Sequence, residues 1–227
     1  MVILKKFIIC LYRTLLPISF RDSSIAAKLK SKMLRHEWIY NSDYYEKYVE
    51  GPAVRSAERI ATTIVKSFNV TCVIDVGCGT GALLEALRNR GCYVFGLEYS
   101  KAALSYCYSR RLNVDRFDLE KNVYADNRTF DVAISLEVAE HLPEIASDRY
   151  VDLLTFLSRV IIFTAAPPGQ GGPGHINEQP PLYWITKFQN RGFKHDEDLS
   201  QRWSESWKAA GDVESWYHKN LMIFRQP

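Results

Sequence analysis

The chain has 227 residues, 47% of them hydrophobic and 13% aromatic, enough to bury one full-sized core. Its 29 lysines and arginines and 26 acids give a formal charge of +3, a modest excess that does not suggest a dedicated nucleic-acid binder. Five cysteines with no CxxC pair argue against a disulfide framework and for reduced thiols in a cytoplasmic compartment. The charge is uneven along the chain. Eight basic residues and a single acid, Asp22, precede His36, so the remainder is mildly acidic. The opening run MVILKKFIICLYRTLLPISF is apolar, yet Lys5, Lys6 and Arg13 interrupt it and Pro17 shortens it, so no spanning helix is expected. No small-residue cleavage site follows a clean apolar run, and no secretory signal is expected either. Residues 1–41 are read as a basic, apolar helical extension. It suits packing on its own domain or a partner subunit, or a peripheral membrane contact through residues 1–35; a mitochondrial presequence fits less well.

The tyrosine-rich stretch YNSDYYEKYVEG follows, and then apolar residues at Val54, Ala57, Ile60, Ala61, Ile64, Val65 and Phe68 predict a helix. It feeds into VIDVGCGTG, residues 73–81, where a buried strand runs into three glycines and a helix with Leu83, Leu84 and Leu87 on one face. Glycines here let the backbone turn sharply and lie against a ligand. Gly77-x-Gly79-x-x-Ala82 also fits a dinucleotide fingerprint, which leaves a nicotinamide-dependent oxidoreductase as a competing class. Against it, the strand ends in Asp75, which faces a cation better than a pyrophosphate. The next strand, within YVFGLEYS, ends in Glu98 about 20 residues past the glycines, where such folds bind ribose hydroxyls. Ser100 is the expected N-cap of the following helix. RFDLEK ends a third strand near Asp118. FDVAISLEVAEHLPE gives a fourth strand, then Glu137, Glu140 and His141 at a spacing that would place all three on one helical face.

A helix through Tyr150, Leu153, Leu154 and Leu157 leads to a fifth strand, RVIIFTAAPP, ending at Ala165 and Ala166. The Gly/Pro-rich loop from Pro167 to Pro181 contains His175 and is long enough to be functional. PLYWITKFQNRGF is a helix closed by Gly192, and FKHDE and NLMIF are candidate sixth and seventh strands. Between them Trp203, Trp207, Trp216 and Tyr217 are expected mainly in packing, with some lining an acceptor pocket. Strands alternating with helices call for a doubly wound α/β sheet, with ligands at the carboxyl ends of the strands.

Taken together, VIDVGCGTG, YVFGLEYS, RFDLEK and FDVAISLEVAEHLPE resemble the motifs of the class I S-adenosylmethionine-dependent methyltransferases. The resemblance runs from about Ser42 to the end of the chain. It implies a methyltransferase domain over 42–227, a seven-stranded Rossmann-like sheet of order 3-2-1-4-5-7-6, and an antiparallel last strand. It implies cofactor contacts from Asp75, Gly77, Cys78 and Gly79, from Glu98 and Tyr99, from Asp118 and Leu119, and from Tyr44 or Tyr45 in the tyrosine-rich stretch.

Glu-x-x-Glu-His resembles the ubiquinone-biosynthesis methyltransferases and the small-RNA 2′-O-methyltransferases, in which it holds a divalent metal. That implies Glu137, Glu140, His141 and His175 as ligands of Mg²⁺ or Mn²⁺, a set of oxygen and nitrogen donors. Metal-free relatives use the same histidine as a base, so His141 and His175 are also the candidate catalytic bases. The expected reaction is O-methylation of a small-molecule, glycan or lipid-linked hydroxyl. Methylation of an RNA 3′ end is the alternative, disfavoured by the acidic domain and the lack of an RNA-binding module. A catalytically silent, methyltransferase-like partner subunit is the reading from another class.

Overall fold

The computed structural model describes residues 39–227, so the N-terminal helical extension and its membrane or partner contact lie outside the described residues. Short apolar runs form the strands. β1 (Cys72–Val76), β2 (Tyr93–Glu98), β3 (Val114–Arg116), β4 (Val132–Leu136) and β5 (Val160–Thr164) pair in parallel. β6 (Lys194–His195) and β7 (Met222–Arg225) complete the sheet, with β7 antiparallel to both neighbours. The order is β3-β2-β1-β4-β5-β7-β6, as expected.

Both faces of the sheet are covered, which is why its central strands read as continuous Val/Ile runs. Successive residues point to opposite faces. Val73, Val94, Val132, Ile162 and Ile223 pack against Ile60, Ile64, Leu84, Leu87, Trp203 and Trp207. Ile74, Phe95, Ala133, Ile161 and Phe224 pack against Tyr150, Leu154, Trp184 and Phe188.

The helical layer begins with α1 (Ser42–Tyr44) and one π-helical turn, Tyr45–Val49, which leads into α2 (Glu50–Phe68). α2 starts four residues before the apolar periodicity does, because Pro52 sits in its first turn, where an N–H is not required. It ends at Asn69 in left-handed conformation, whose N–H donates to Val65 O. α3 (Ala82–Arg88) follows the glycine loop, and α4 (Lys101–Ser109) is N-capped by Ser100 Oγ. α5 (Ser147–Leu157), α6 (Pro181–Gln189), α7 (Glu197–Ala210) and α8 (Ser215–Lys219) complete the layers. Trp207 is fully buried and donates through Nε1 to Thr63 Oγ1 at 3.0 Å, so α7's tryptophans belong to the core. Among the described residues no helix is long and apolar enough to cross a membrane.

Candidate active site

The carboxyl ends of β1, β2 and β4 open into one cavity of about 1160 Å³. That exceeds the roughly 300–1,000 Å³ of a site for one drug-sized ligand, leaving room for a cofactor and an acceptor together. Gly77 turns the chain out of β1 at φ +80°, and a Cβ there would lie 2.5 Å from Val138 Cγ2. Only glycine fits. Its N–H donates to Leu97 O at 2.7 Å, binding the loop to the end of β2. Glu98 is buried and accepts the N–H of Gly79 at 2.9 Å and of Ser100 at 2.7 Å. Tyr45, Cys78, Tyr99, Asp118 and Leu119 also line the cavity. Asp118 lies past the end of β3 rather than on it, and its carboxylate accepts the Glu120 N–H at 3.0 Å and Lys121 Nζ at 2.8 Å. The π-helical turn brings buried Tyr45 inward and sets Val49 opposite Gly79.

Burial first, and then the charge of Glu98, push the Asp75 carboxyl from its ordinary value of 3.8 up to about 8. Such a buried acid favours a cationic ligand, and the bare glycine backbone beside it accepts a close-lying one. The residues present therefore fit S-adenosylmethionine. A pH dependence follows. The folded apoprotein holds this proton more tightly than the unfolded chain, so the group's stabilisation is complete below pH 3.8 and is lost as pH rises through about 8. Cofactor affinity should run the other way and strengthen as pH rises towards about 8, because the ionised carboxylate attracts the cation. Thermal melts of the apoprotein and calorimetry with S-adenosylmethionine measure both trends, and Asp75→Asn should flatten them. Identical slopes in that variant would assign them to another group.

At the end of β4 the structure corrects the helical-face expectation. Glu137 adopts left-handed backbone at φ 55°, and the helix after it is a single 3₁₀ turn, Ala139–His141. The Glu137 N–H is held by Thr164, the last residue of β5, through O at 3.2 Å and Oγ1 at 2.9 Å. Its carboxylate accepts Gln170 Nε2 at 2.8 Å and Asn220 Nδ2 at 3.0 Å. Three of the four expected ligands do meet: Glu140, His141 and His175 bring one ligand atom each within 4.8 Å of one another.

Glu140 is fully buried, and neither of its carboxylate oxygens has a hydrogen-bond partner among the described residues. Burial first, then the neighbouring charge of Glu137, push its pKa well up. His141 Nδ1 and the Tyr40 hydroxyl share a hydrogen bond of 2.8 Å. His175 Nδ1 lies 2.8 Å from Glu178 Oε1, and Glu178 also accepts the N–H groups of Gly169 and Gly171, at 2.9 and 2.7 Å. Against the cost of burial, these bonds hold Glu178 below its ordinary pKa. The long loop is fixed at its other end by Ile176 and Asn177, whose N–H groups donate to Glu140 O at 2.9 and 3.1 Å. The two imidazoles meet edge to face, with centroids 4.9 Å apart.

Tyr40 and Glu178 escaped the sequence reading. Glu178 stands three residues after His175, a spacing that hints at it; nothing local announces Tyr40. Trp216 and Tyr217 do line the cavity.

A methyltransferase-domain family matches residues 74–161. The ubiquinone biosynthesis O-methyltransferase of Hahella chejuensis is 38% identical over 81 residues, covering 33% of this chain and 34% of that protein. Alignments with such relatives span from 33% to 64% of their length. A TehB-like S-adenosylmethionine-dependent methyltransferase from Corynebacterium glutamicum shares the fold, with a TM-score of 0.58 and 16% identity over 82% of this chain and 98% of that one. Magnesium protoporphyrin IX methyltransferase from Synechocystis, solved with S-adenosylmethionine bound, gives a TM-score of 0.54 and 20% identity over 78% and 88%. Residues 74–161 thus match a methyltransferase-domain family, and the sheet order is that of the Rossmann-like fold shared with the Corynebacterium protein.

Proposed function

We propose that the protein transfers the methyl group of S-adenosylmethionine to a hydroxyl oxygen of a small-molecule, glycan or lipid-linked acceptor, with a divalent metal at the acceptor end of the cavity. The observation that carries this reading is Glu140: a fully buried carboxylate without a hydrogen-bond partner among the described residues, clustered with two histidines. A buried acid of this kind is costly unless something cationic or proton-donating reaches it. The oxygen and nitrogen donors suit Mg²⁺ or Mn²⁺. Bound by Glu140, His141 and His175, such an ion would supply Lewis acidity to the acceptor hydroxyl.

The chain's own residues do the rest. The glycine loop, Asp75 and Glu98 fix the cofactor at the ends of β1 and β2. Val138, wedged against Gly77, joins that loop to the 3₁₀ turn that presents Glu140 and His141. Donor and acceptor are thereby held in one enclosed space, which supplies much of what an in-line transfer needs. In the metal-free version of the reaction, His141 or His175 would instead take the hydroxyl proton. The ubiquinone biosynthesis O-methyltransferases among the relatives favour oxygen as the nucleophile, and adjacent donor groups favour a vicinal diol such as a catechol.

The test pairs metal binding with transfer. Protein loaded with S-adenosylhomocysteine should bind one Mn²⁺ by electron paramagnetic resonance, and Glu140→Ala should abolish that signal. Methyl transfer from labelled S-adenosylmethionine to catechol should stop on chelation. Transfer that persists with chelator, without a specific manganese site, would remove the metal from the proposal. Transfer to amines but to no hydroxyl, sugar or RNA 3′ end would remove oxygen as the acceptor.

A further inference from the structure

We propose that Tyr40 is a positioning residue: its phenol sets the orientation of the His141 imidazole, and its main chain ties that imidazole to the cofactor-side carboxylate. The inference rests on reading His141 as an acceptor-side group. Tyr40 precedes α1 and is 101 residues from His141 in sequence, yet its hydroxyl lies 2.8 Å from His141 Nδ1. The two rings meet edge to face at 5.5 Å, 82° apart, and Tyr44 backs Tyr40 in the same way at 5.1 Å.

The bond is enclosed on the loop side. Gly174 adopts φ +82°, and a Cβ there would strike the Tyr40 hydroxyl and lie 3.5 Å from His141 Nδ1. The hydroxyl can give its proton to Nδ1 or accept the one Nδ1 carries. Either tautomer keeps the bond, and in both it stops the ring turning about Cβ–Cγ. A partner held at one ring nitrogen thus aims the other at a reacting group.

The second half of the device is the Tyr40 carbonyl, which accepts Ser100 Oγ at 3.0 Å. The Ser100 N–H in turn donates to Glu98 Oε1 at 2.7 Å. One residue therefore touches the acceptor-side histidine through its side chain and the ribose-side carboxylate's partner through its backbone. None of this depends on the tyrosine lining the cofactor itself.

Tyr40→Phe removes the hydroxyl and leaves the ring packing. It should lower kcat by about 10- to 100-fold, with S-adenosylmethionine affinity and melting temperature near wild type. Because the effect passes through His141, adding Tyr40→Phe to His141→Ala should cost nothing further in residual turnover. Histidine labelled with ¹⁵N should show the His141 ring shifts change in Tyr40→Phe while those of His195 and His218 stay. Wild-type kcat in Tyr40→Phe, with His141→Ala inactive, would overturn the role of Tyr40 alone. Wild-type turnover in His141→Ala would overturn the reading of His141, and this inference with it. Equal losses from Tyr40→Phe in the wild-type and His141→Ala backgrounds would show that Tyr40 acts independently of the histidine.

Discussion

Replacing His141 by alanine is expected to lower kcat by about 10²–10⁴-fold, the usual range for losing a positioned proton-transfer group. The imidazole belongs both to the candidate metal cluster and to the pair of candidate bases, so either version of the chemistry loses a central group. Cofactor binding should survive. Asp75, the glycine loop and Glu98 lie at the ends of β1 and β2, while His141 follows β4 on its own 3₁₀ turn. Single-turnover rates and calorimetric titration separate the two effects. Near-normal turnover would remove His141 from the reaction, whereas equal losses of rate and affinity would mean the substitution disturbs the glycine loop through Val138.

Glu98→Ala should give the complementary result, weakening S-adenosylmethionine binding by about 10- to 100-fold. This follows from the roughly 1.5–3 kcal/mol carried by hydrogen bonds to a charged group. The change also leaves the N–H groups of Gly79 and Ser100 without their acceptor, which loosens the glycine loop. It carries a second signature. Glu98's charge is the second cause, after burial, of the raised Asp75 pKa, so the pH at which affinity strengthens should move down in Glu98→Ala. Glu98→Gln, which keeps an acceptor but not the charge, should show the same displacement with a smaller loss of affinity. Unchanged affinity in both variants would place the ribose elsewhere.

Much of this fold is legible because its signals are local. Val73, Ile74 and Val76 alternate between two covered faces, and glycine stands where the chain must leave β1 at positive φ. Helix spacing placed α2, α5 and α6 for the same reason. The candidate site was read less completely. The spacing of Glu137, Glu140 and His141 suggested a shared helical face, but Glu137 closes a strand in left-handed backbone and meets residues 33 and 83 positions away. Tyr40 is the strongest case. Its partner is far along the chain, and a tyrosine in a tyrosine-rich stretch gives no periodic mark of which ring turns inward. His175 was found because an imidazole in a Gly/Pro-rich loop is conspicuous; the carboxylate that anchors it is not.

The place of β7 bears on how the domain is assembled during synthesis. β7 lies between β5 and β6, so β6, though made earlier, has no strand to join until residues 222–225 have emerged. Asn220, which clasps Glu137, emerges just ahead of them. A nascent chain that has reached the end of α7 already holds β1 to β5 and the glycine loop, yet it exposes the unpaired edge of β5. Open edges of this kind recruit other strands and invite aggregation. Ribosomal pausing in the stretch between α7 and β7 would therefore be costly, and it is there that a chaperone would protect the growing protein most.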